Sequence, residues 1–175
     1  MHEKETHGEL RVYYFDEAGF TLTPSVPYAW QPIGQNLPLP SAASRRLNVL
    51  GFMNKANQSY FHTVVGPVNS ALVITAFDRF SEQFDASTLT LVFVDNSPLH
   101  HSEAFEARRQ QWMARGVVVC YLPAYSPELN LIEMLWRKIK YEWLPWSAYE
   151  GFAALKQALA EILGEFGQKY KITFA

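Results

Sequence analysis

A run of six apolar or β-branched residues that ends directly at a carboxylate constrains this chain more than any other feature. Leu89–Val94 shows little polar alternation, which is typical of a strand buried on both faces of a sheet. Asp95 follows at once, and open α/β sheets bind their ligands outside the carboxyl ends of their strands. The alternative is an ordinary turn, because Asp95–Pro98 is also favourable turn sequence.

A second strand is also predicted to end at acidic residues. Arg11–Phe15 has aromatic and β-branched strand composition, and Asp16 and Glu17 follow it. If the two strands are parallel neighbours, Asp16 and Asp95 emerge side by side, about 4.8 Å apart. Two carboxylates this close raise each other's pKa unless a cation neutralises them. The pair therefore predicts a divalent metal site.

The rest of the chain predicts an α/β fold, a mixed sheet of about five strands flanked by helices. Turn residues between two strand-like segments favour an antiparallel hairpin, and strand–helix–strand segments favour parallel pairing. The further predicted strands are Leu47–Met53, Tyr60–Val65 and Val117–Leu122. Predicted helices begin at Asn69 or Ser70 (with Val73, Phe77, Phe80 and Phe84 inward), at Ser102 (to about Arg115), at Ser126–Asn130 (to about Trp143), and at a capping box, Ser147–Glu150.

Five prolines lie between Phe20 and Arg46. This segment predicts an ordered loop with a short extended piece around Tyr28–Trp30. Loops of this length inside a domain tend to be functional. Arg45 and Arg46, at its end, are candidate DNA contacts.

Composition restricts the possible function. The chain has 175 residues, 49 % of them hydrophobic, which fits one globular domain. Its formal net charge is −2, whereas strong nucleic-acid binders are usually basic, so any DNA contact is expected to be local or assisted by another module. The single cysteine, Cys120, and the absence of a secretory signal or long apolar stretch in the sequence favour the cytoplasm and predict no membrane association.

Glu133 is the best candidate for a third metal ligand. Hard ions such as Mg²⁺ prefer oxygen ligands and accept water and phosphate oxygens as the remainder. Glu133, Arg137 and Lys140 are spaced i, i+4 and i+7, so they share one face of the predicted helix. A carboxylate with two cations beyond it could bind a metal and then follow a phosphate backbone.

Simpler roles remain open for several of these residues. Glu133 could close a capping box with Asn130, or form an ordinary ion pair with Arg137. Glu128, at the helix start, is the rival third ligand. His100 is interpreted as a residue that acts behind Asp95 or contacts phosphate, with an ordinary surface histidine as the alternative.

Three segments in order resemble the catalytic domain of a mariner-superfamily DDE transposase, of the bacterial insertion-sequence branch. They are Asp16–Phe20, Asp95–Ser102 and Leu122–Trp136, of which the last is the longest and most specific. Asp95 and Glu133 lie 38 positions apart, which is close to the spacing in that branch. The resemblance spans about Arg11 to Trp143.

The resemblance implies a ribonuclease-H-like fold in which Asp16, Asp95 and Glu133 bind two Mg²⁺ or Mn²⁺ ions. One ion would activate a water or a DNA 3′-hydroxyl, and the other would stabilise the leaving oxygen. The implied reactions are DNA cleavage at element ends and strand transfer. The implied partners are transposon-end and target DNA, and further copies of the chain in a synaptic complex.

The sequence departs from the family pattern at two points. Leu131 stands where the family usually has proline. Residues 1–10 are interpreted as a lead-in or linker stub before a catalytic domain at 11–175, whereas the family normally carries helix-turn-helix modules there. A separate DNA-binding module is therefore expected, or else the chain is a fragment or remnant. Two other functions stay open, a ribonuclease-H-like nuclease and an inactive remnant that acts by binding.

Overall fold

Five strands form one mixed sheet in the computed structural model, which describes residues 10–25, 33, 45–124 and 126–174. The strand order is β3-β2-β1-β4-β5. The central strand β1 pairs antiparallel with β2 and parallel with β4, and β4 pairs parallel with β5. The predicted hairpin and the predicted parallel pairing are both confirmed. The strands are β1 (Leu10–Phe20), β2 (Leu47–Met53), β3 (Ser59–Val65), β4 (Leu89–Val94) and β5 (Val117–Tyr121).

Four α-helices flank this sheet in the described part of the chain, and two of them begin as predicted. The Asn69 side chain accepts a hydrogen bond from the backbone N–H of Leu72. The Ser102 hydroxyl caps the next helix in the same way. The helices are α1 (Ser70–Ser81), α2 (Glu103–Ala114), α3 (Ile132–Lys138, continued by a π-helical turn, Ile139–Trp143) and α4 (Phe152–Gly164).

The first strand is longer than predicted. It does not end at Phe15 but continues to Phe20, because its second half pairs antiparallel with β2. Asp16 lies opposite Gly51 in this ladder. Asp16 is therefore inside a strand, near the point where the parallel pairing with β4 stops. The sequence does not predict this extension, because Glu17, Ala18 and Gly19 have poor strand propensity. Pairing with β2 stabilises it instead.

The predicted capping box of the last helix is wrong. Trp146–Glu150 forms a separate 3₁₀ turn, and α4 begins at Phe152 after Gly151, without a side-chain cap. The turn buries Ala148 and Tyr149 in the core. Tertiary packing thus outweighs the local capping signal in this segment.

The hydrophobic core has two layers, one on each face of the sheet. Alternation along β1 sends Tyr13 and Phe15 into the layer of α1 and α2. Tyr14 and Ala18 enter the layer of α3 and α4. Asp16 has the parity of this second pair, so its carboxylate lies on the face that α3 covers.

Two remaining expectations concern the Phe20–Arg46 segment and the membrane. The predicted extended piece around Tyr28–Trp30 lies outside the described residues. Among the residues that were searched, no helix combines the length and the hydropathy needed to cross a membrane.

A methyl group at Gly51 should strain the contact between the sheet and α3. A Cβ there would lie 2.7 Å from the Trp136 ring and 3.1 Å from Ile132. We expect Gly51→Ala to lower the free energy of unfolding by about 1–3 kcal/mol, as overpacking does, in urea denaturation. Gly164→Ala is the control, because its added methyl meets nothing within 4 Å. Equal stability of the two variants would contradict this packing.

Candidate active site

The register between β1 and β4 brings two aspartates to the same place on the sheet. The last parallel pair joins Tyr14 to Phe93. Asp16 and Asp95 each lie two residues beyond that pair, on neighbouring strands. β4 has ended at Val94, so Asp95 begins a loop, whereas Asp16 stays in a strand held by β2.

Asp16, Asp95 and Glu133 line one cleft of about 400 Å³. Glu133 reaches it from the first turn of α3. The rival third ligand, Glu128, lines a neighbouring groove instead. The remaining cleft residues come from the loops after β4 and β5 and from the start of α3: Asn96, Ser97, Leu122, Pro123, Ala124, Ser126 and Asn130.

Asp16 is held by the helix that covers it. The indole N–H of Trp136 donates a hydrogen bond to Asp16 Oδ2 at 3.0 Å. Burial raises the pKa of Asp16 to about 8, and the charges of Glu133, Glu17 and Asp95 contribute to the rise. A nearby cation would reverse this effect, because it favours the ionised carboxylate.

Asp95 has the opposite electrostatic environment. His100 Nδ1 lies 2.8 Å from Asp95 Oδ1, and the backbone N–H of Ser97 donates to the same oxygen at 3.0 Å. The hydrogen bond from His100 is the main cause that lowers the pKa of Asp95. The pKa values of these two neighbouring acids are therefore shifted in opposite directions, and the acid with the lowered pKa is held by a histidine.

His100 is fully buried, with 0 % of its surface exposed. Its Nε2 lies 3.5 Å from Glu17 Oε2, an ion-pair distance outside hydrogen-bond geometry. Burial lowers the pKa of His100, but the hydrogen bond to Asp95 and the nearby carboxylate of Glu17 outweigh burial and raise the pKa to about 9. A phosphate contact needs an accessible nitrogen, so the burial favours the other predicted role, which is to act through Asp95.

The two simpler roles of Glu133 do not match the contacts observed. Asn130 does not form a capping box with Glu133, because its Oδ1 accepts no hydrogen bond from the described residues, while its Nδ2 donates to the carbonyl of Phe15 at 3.1 Å. No ion pair between described residues joins Glu133 to Arg137. The Glu133 side chain therefore stands on the exposed face of α3, beside the cleft.

The predicted stripe of Glu133, Arg137 and Lys140 lines a second, wider groove of about 980 Å³. This groove shares Asn130 and Glu133 with the carboxylate cleft, so the two depressions adjoin. Lys140 Nζ also lies 5.6 Å from the centre of the Phe20 ring. The groove is not uniformly basic, because two acids, Glu128 and Glu142, line it as well.

Arg45 and Arg46 line neither depression and lie just before β2. Both are exposed. Arg46 Nε donates to Asn48 Oδ1 at 2.9 Å, and its guanidinium covers Gly19. Their role in DNA binding stays a prediction.

Sequence reasoning missed two residues that hold the site together. In the sequence, Trp136 is only the last residue of the segment Leu122–Trp136, yet in the fold its indole bonds Asp16. A buried tryptophan N–H usually finds a partner, so an acid on a facing strand was a usable signal. Glu17 gave no such signal, because its contact with His100 depends on how a loop returns to the sheet.

The donor set of the cleft fits a hard divalent cation such as Mg²⁺ or Mn²⁺, because it consists of carboxylate and amide oxygens. Within residues 10–25, 33, 45–124 and 126–174, no three His, Cys, Asp or Glu side chains are grouped closely enough to hold a metal ion unaided. A cation here would need water or phosphate oxygens as well, which Mg²⁺ usually retains.

Comparison with known proteins finds a matching family model and a relative that is similar in sequence. Residues 11–156 match a family model described as DDE superfamily endonuclease. An "Insertion element IS630 uncharacterized 39 kDa protein" of Shigella sonnei is 30 % identical over 151 residues, which are 77 % of this chain and 39 % of that protein.

Two structures of Mos1 share the fold. The Mos1 strand transfer complex matches 95 % of this chain and 51 % of its own, with a TM-score of 0.62 and 15 % identity. The Mos1 mariner paired end complex with Mn matches 93 % and 50 %, with a TM-score of 0.63 and 16 % identity. The predicted ribonuclease-H-like fold is confirmed. This chain spans about half or less of the length of these relatives.

Removal of His100 should destabilise the fold. Its ring fills a fully buried position beside Phe15 and faces two carboxylates, Asp95 and Glu17. We expect His100→Ala to lower the free energy of unfolding by about 2–4 kcal/mol, because it leaves a cavity and an unpaired acid. The adjacent His101→Ala is the control, since that ring is exposed and stacks on Tyr121. Similar losses in chemical denaturation for the two variants would contradict the assigned role.

Proposed function

This chain belongs to the DDE superfamily of endonucleases, and we propose that it is the catalytic domain of a transposase that cleaves DNA at insertion-element ends and transfers the cut strand. The observation that carries this proposal is the single cleft lined by Asp16, Asp95 and Glu133. The likeness to an insertion-element protein and to a strand transfer complex supports it.

Asp16, Asp95 and Glu133 would hold two Mg²⁺ or Mn²⁺ ions. The ions would supply activation of a water or a 3′-hydroxyl and stabilisation of the leaving oxygen in an in-line displacement. The protein's own contribution is to orient the carboxylates. Trp136 binds Asp16 Oδ2 and His100 binds Asp95 Oδ1, so the other oxygen of each acid would be the one that binds a cation.

The groove beside the cleft is the proposed path of the DNA. Arg137 and Lys140 lie on it beyond Glu133, where they could contact successive phosphates of a strand whose reacting bond sits in the cleft. His100 would act on DNA only through Asp95. Arg45 and Arg46 are exposed and could contact DNA outside the cleft.

Further partners are part of the same proposal. The net charge of −2 and the mixed charge of the groove favour a separate DNA-binding module that supplies affinity for the transposon ends. Transposition joins two element ends, so a homo-oligomer with transposon-end and target DNA is the proposed assembly.

The metal site is tested by Mn²⁺ titration calorimetry. We expect saturable binding by the wild type, and at least a tenfold weaker affinity for Asp95→Asn and Glu133→Gln, because each removes a charged ligand. Both variants should also fail to nick DNA in the presence of Mn²⁺ while remaining folded by circular dichroism. Glu128→Gln is the matched control, an exposed acid of the neighbouring groove whose loss should leave the Mn²⁺ affinity unchanged.

Two results would favour the other functions. Cleavage of an RNA–DNA hybrid without any strand joining would favour a ribonuclease-H-like nuclease. A folded wild type that binds no Mn²⁺, with or without DNA, would favour an inactive binding protein.

Arg137 should contribute to DNA affinity through phosphate. We expect Arg137→Ala to weaken binding to a short duplex and to reduce the slope of log K against log salt by about 0.9, one phosphate contact. Lys138→Ala is the control on the same helix, because Lys138 is already paired with Glu142 at 2.7 Å. The slope is measured by fluorescence anisotropy. An unchanged slope for Arg137→Ala would mean that Arg137 makes no phosphate contact.

A further inference from the structure

Asn130 is a buried amide that only half uses its hydrogen-bonding capacity. It is 4 % exposed, and its Nδ2 donates to the carbonyl oxygen of Phe15 at 3.1 Å. Its Oδ1 is buried and has no hydrogen-bond partner among the residues that the structure describes. A buried acceptor without a partner is costly, so we expect a water or an ion to satisfy it.

The orientation of this amide is determined by its partner. A backbone carbonyl can only accept, so the Asn130 nitrogen must face Phe15 and the oxygen must face away from it. Asn130 lines the carboxylate cleft together with Asp16 and Glu133. The oxygen that faces away from Phe15 is therefore a neutral acceptor beside the three carboxylates of this cleft.

We propose that Asn130 Oδ1 binds the hydrated divalent cation of the cleft. The inference rests on the proposed function and extends its ligand set by one residue. The three carboxylates do not enclose a metal ion by themselves. An amide adds an acceptor for the cation, or for its bound water, without adding charge to a cleft that already holds three acids.

The position of Asn130 in the chain suits this role. Its Nδ2 donates a hydrogen bond to the carbonyl of Phe15, the residue before Asp16. Its backbone carbonyl accepts a hydrogen bond from the N–H of Glu133 at 3.0 Å. Two proposed ligands from different elements are thus joined through one residue. A purely structural role would need only these two bonds and would leave Oδ1 without a function.

Mn²⁺ titration calorimetry on a set of asparagine variants separates the two roles. We expect Asn130→Leu to bind Mn²⁺ at least tenfold more weakly than the wild type, within the range seen when a group beside a metal is removed. Asn130→Asp should recover that loss, because it returns an oxygen to the cleft although it cannot donate to Phe15. Under a purely structural role, both variants would lose the same bond to Phe15 and bind equally.

Two other asparagines provide matched controls. Asn48 is also 4 % exposed but has both side-chain atoms occupied, by the Gly66 carbonyl and by Arg46. Asn48→Leu should lose stability and keep the wild-type Mn²⁺ affinity. Asn96 lines the same cleft with its amide engaged by Leu122 and His101. Asn96→Asp likewise replaces an amide donor to a backbone carbonyl with a charged oxygen, so it measures what this exchange does at another position of the cleft. The gain in Mn²⁺ affinity from Asn130→Leu to Asn130→Asp should exceed the gain that Asn96→Asp produces relative to the wild type.

The outcomes distinguish failure of the inference from failure of the proposed function. Mn²⁺ binding that is lost in Asp95→Asn but unchanged in Asn130→Leu would overturn the role of Asn130 alone. No saturable binding by the wild type, with or without DNA, would overturn the metal site itself, and this inference with it. If Asn130→Leu does not fold, Asn130→Ser is used, and Mn²⁺ should raise its Tm by less than it raises that of the wild type.

Discussion

The parallel pairing of β1 with β4 is the interaction on which the candidate site depends. Its register brings Asp16 and Asp95 to neighbouring positions although they are far apart in the chain. A slip of one residue would turn the Asp16 side chain to the other face of the sheet, away from α3. Buried apolar residues on both faces of β1 oppose such a slip, because it would exchange the contents of the two core layers.

Helix α3 completes the site because it is attached to the same strand. Asn130 bonds the backbone of β1 before Asp16, and Trp136 bonds the Asp16 carboxylate itself. Gly51 makes room for that tryptophan, since a side chain there would meet its ring. The helix start is thereby positioned at the edge of the cleft, and Glu133 lies on it. One packing contact and two hydrogen bonds thus join α3 to β1 and β2, which lie far from it in the sequence.

The site holds its acids by two different means. Asp95 is stabilised as an anion by His100, which Glu17 approaches from the other side of the ring. Asp16 is buried among other acids, and this raises its pKa. A carboxylate in that environment becomes fully ionised only when positive charge is brought to it. Such a site is suited to bind a cation together with the phosphate oxygens that complete its coordination.

Local sequence patterns determined the order of strands and helices, the caps at Asn69 and Ser102, and the three candidate acids. These features depend on side chains a few residues apart, so they can be read along the chain. Tertiary structure decided the extension of β1 to Phe20, the 3₁₀ turn in place of a capping box, and the burial of His100. It also decided what Asn130 and Trp136 bind, because their partners lie 115 and 120 residues away in the chain. Such contacts follow from sheet register and helix docking, which local spacing does not encode.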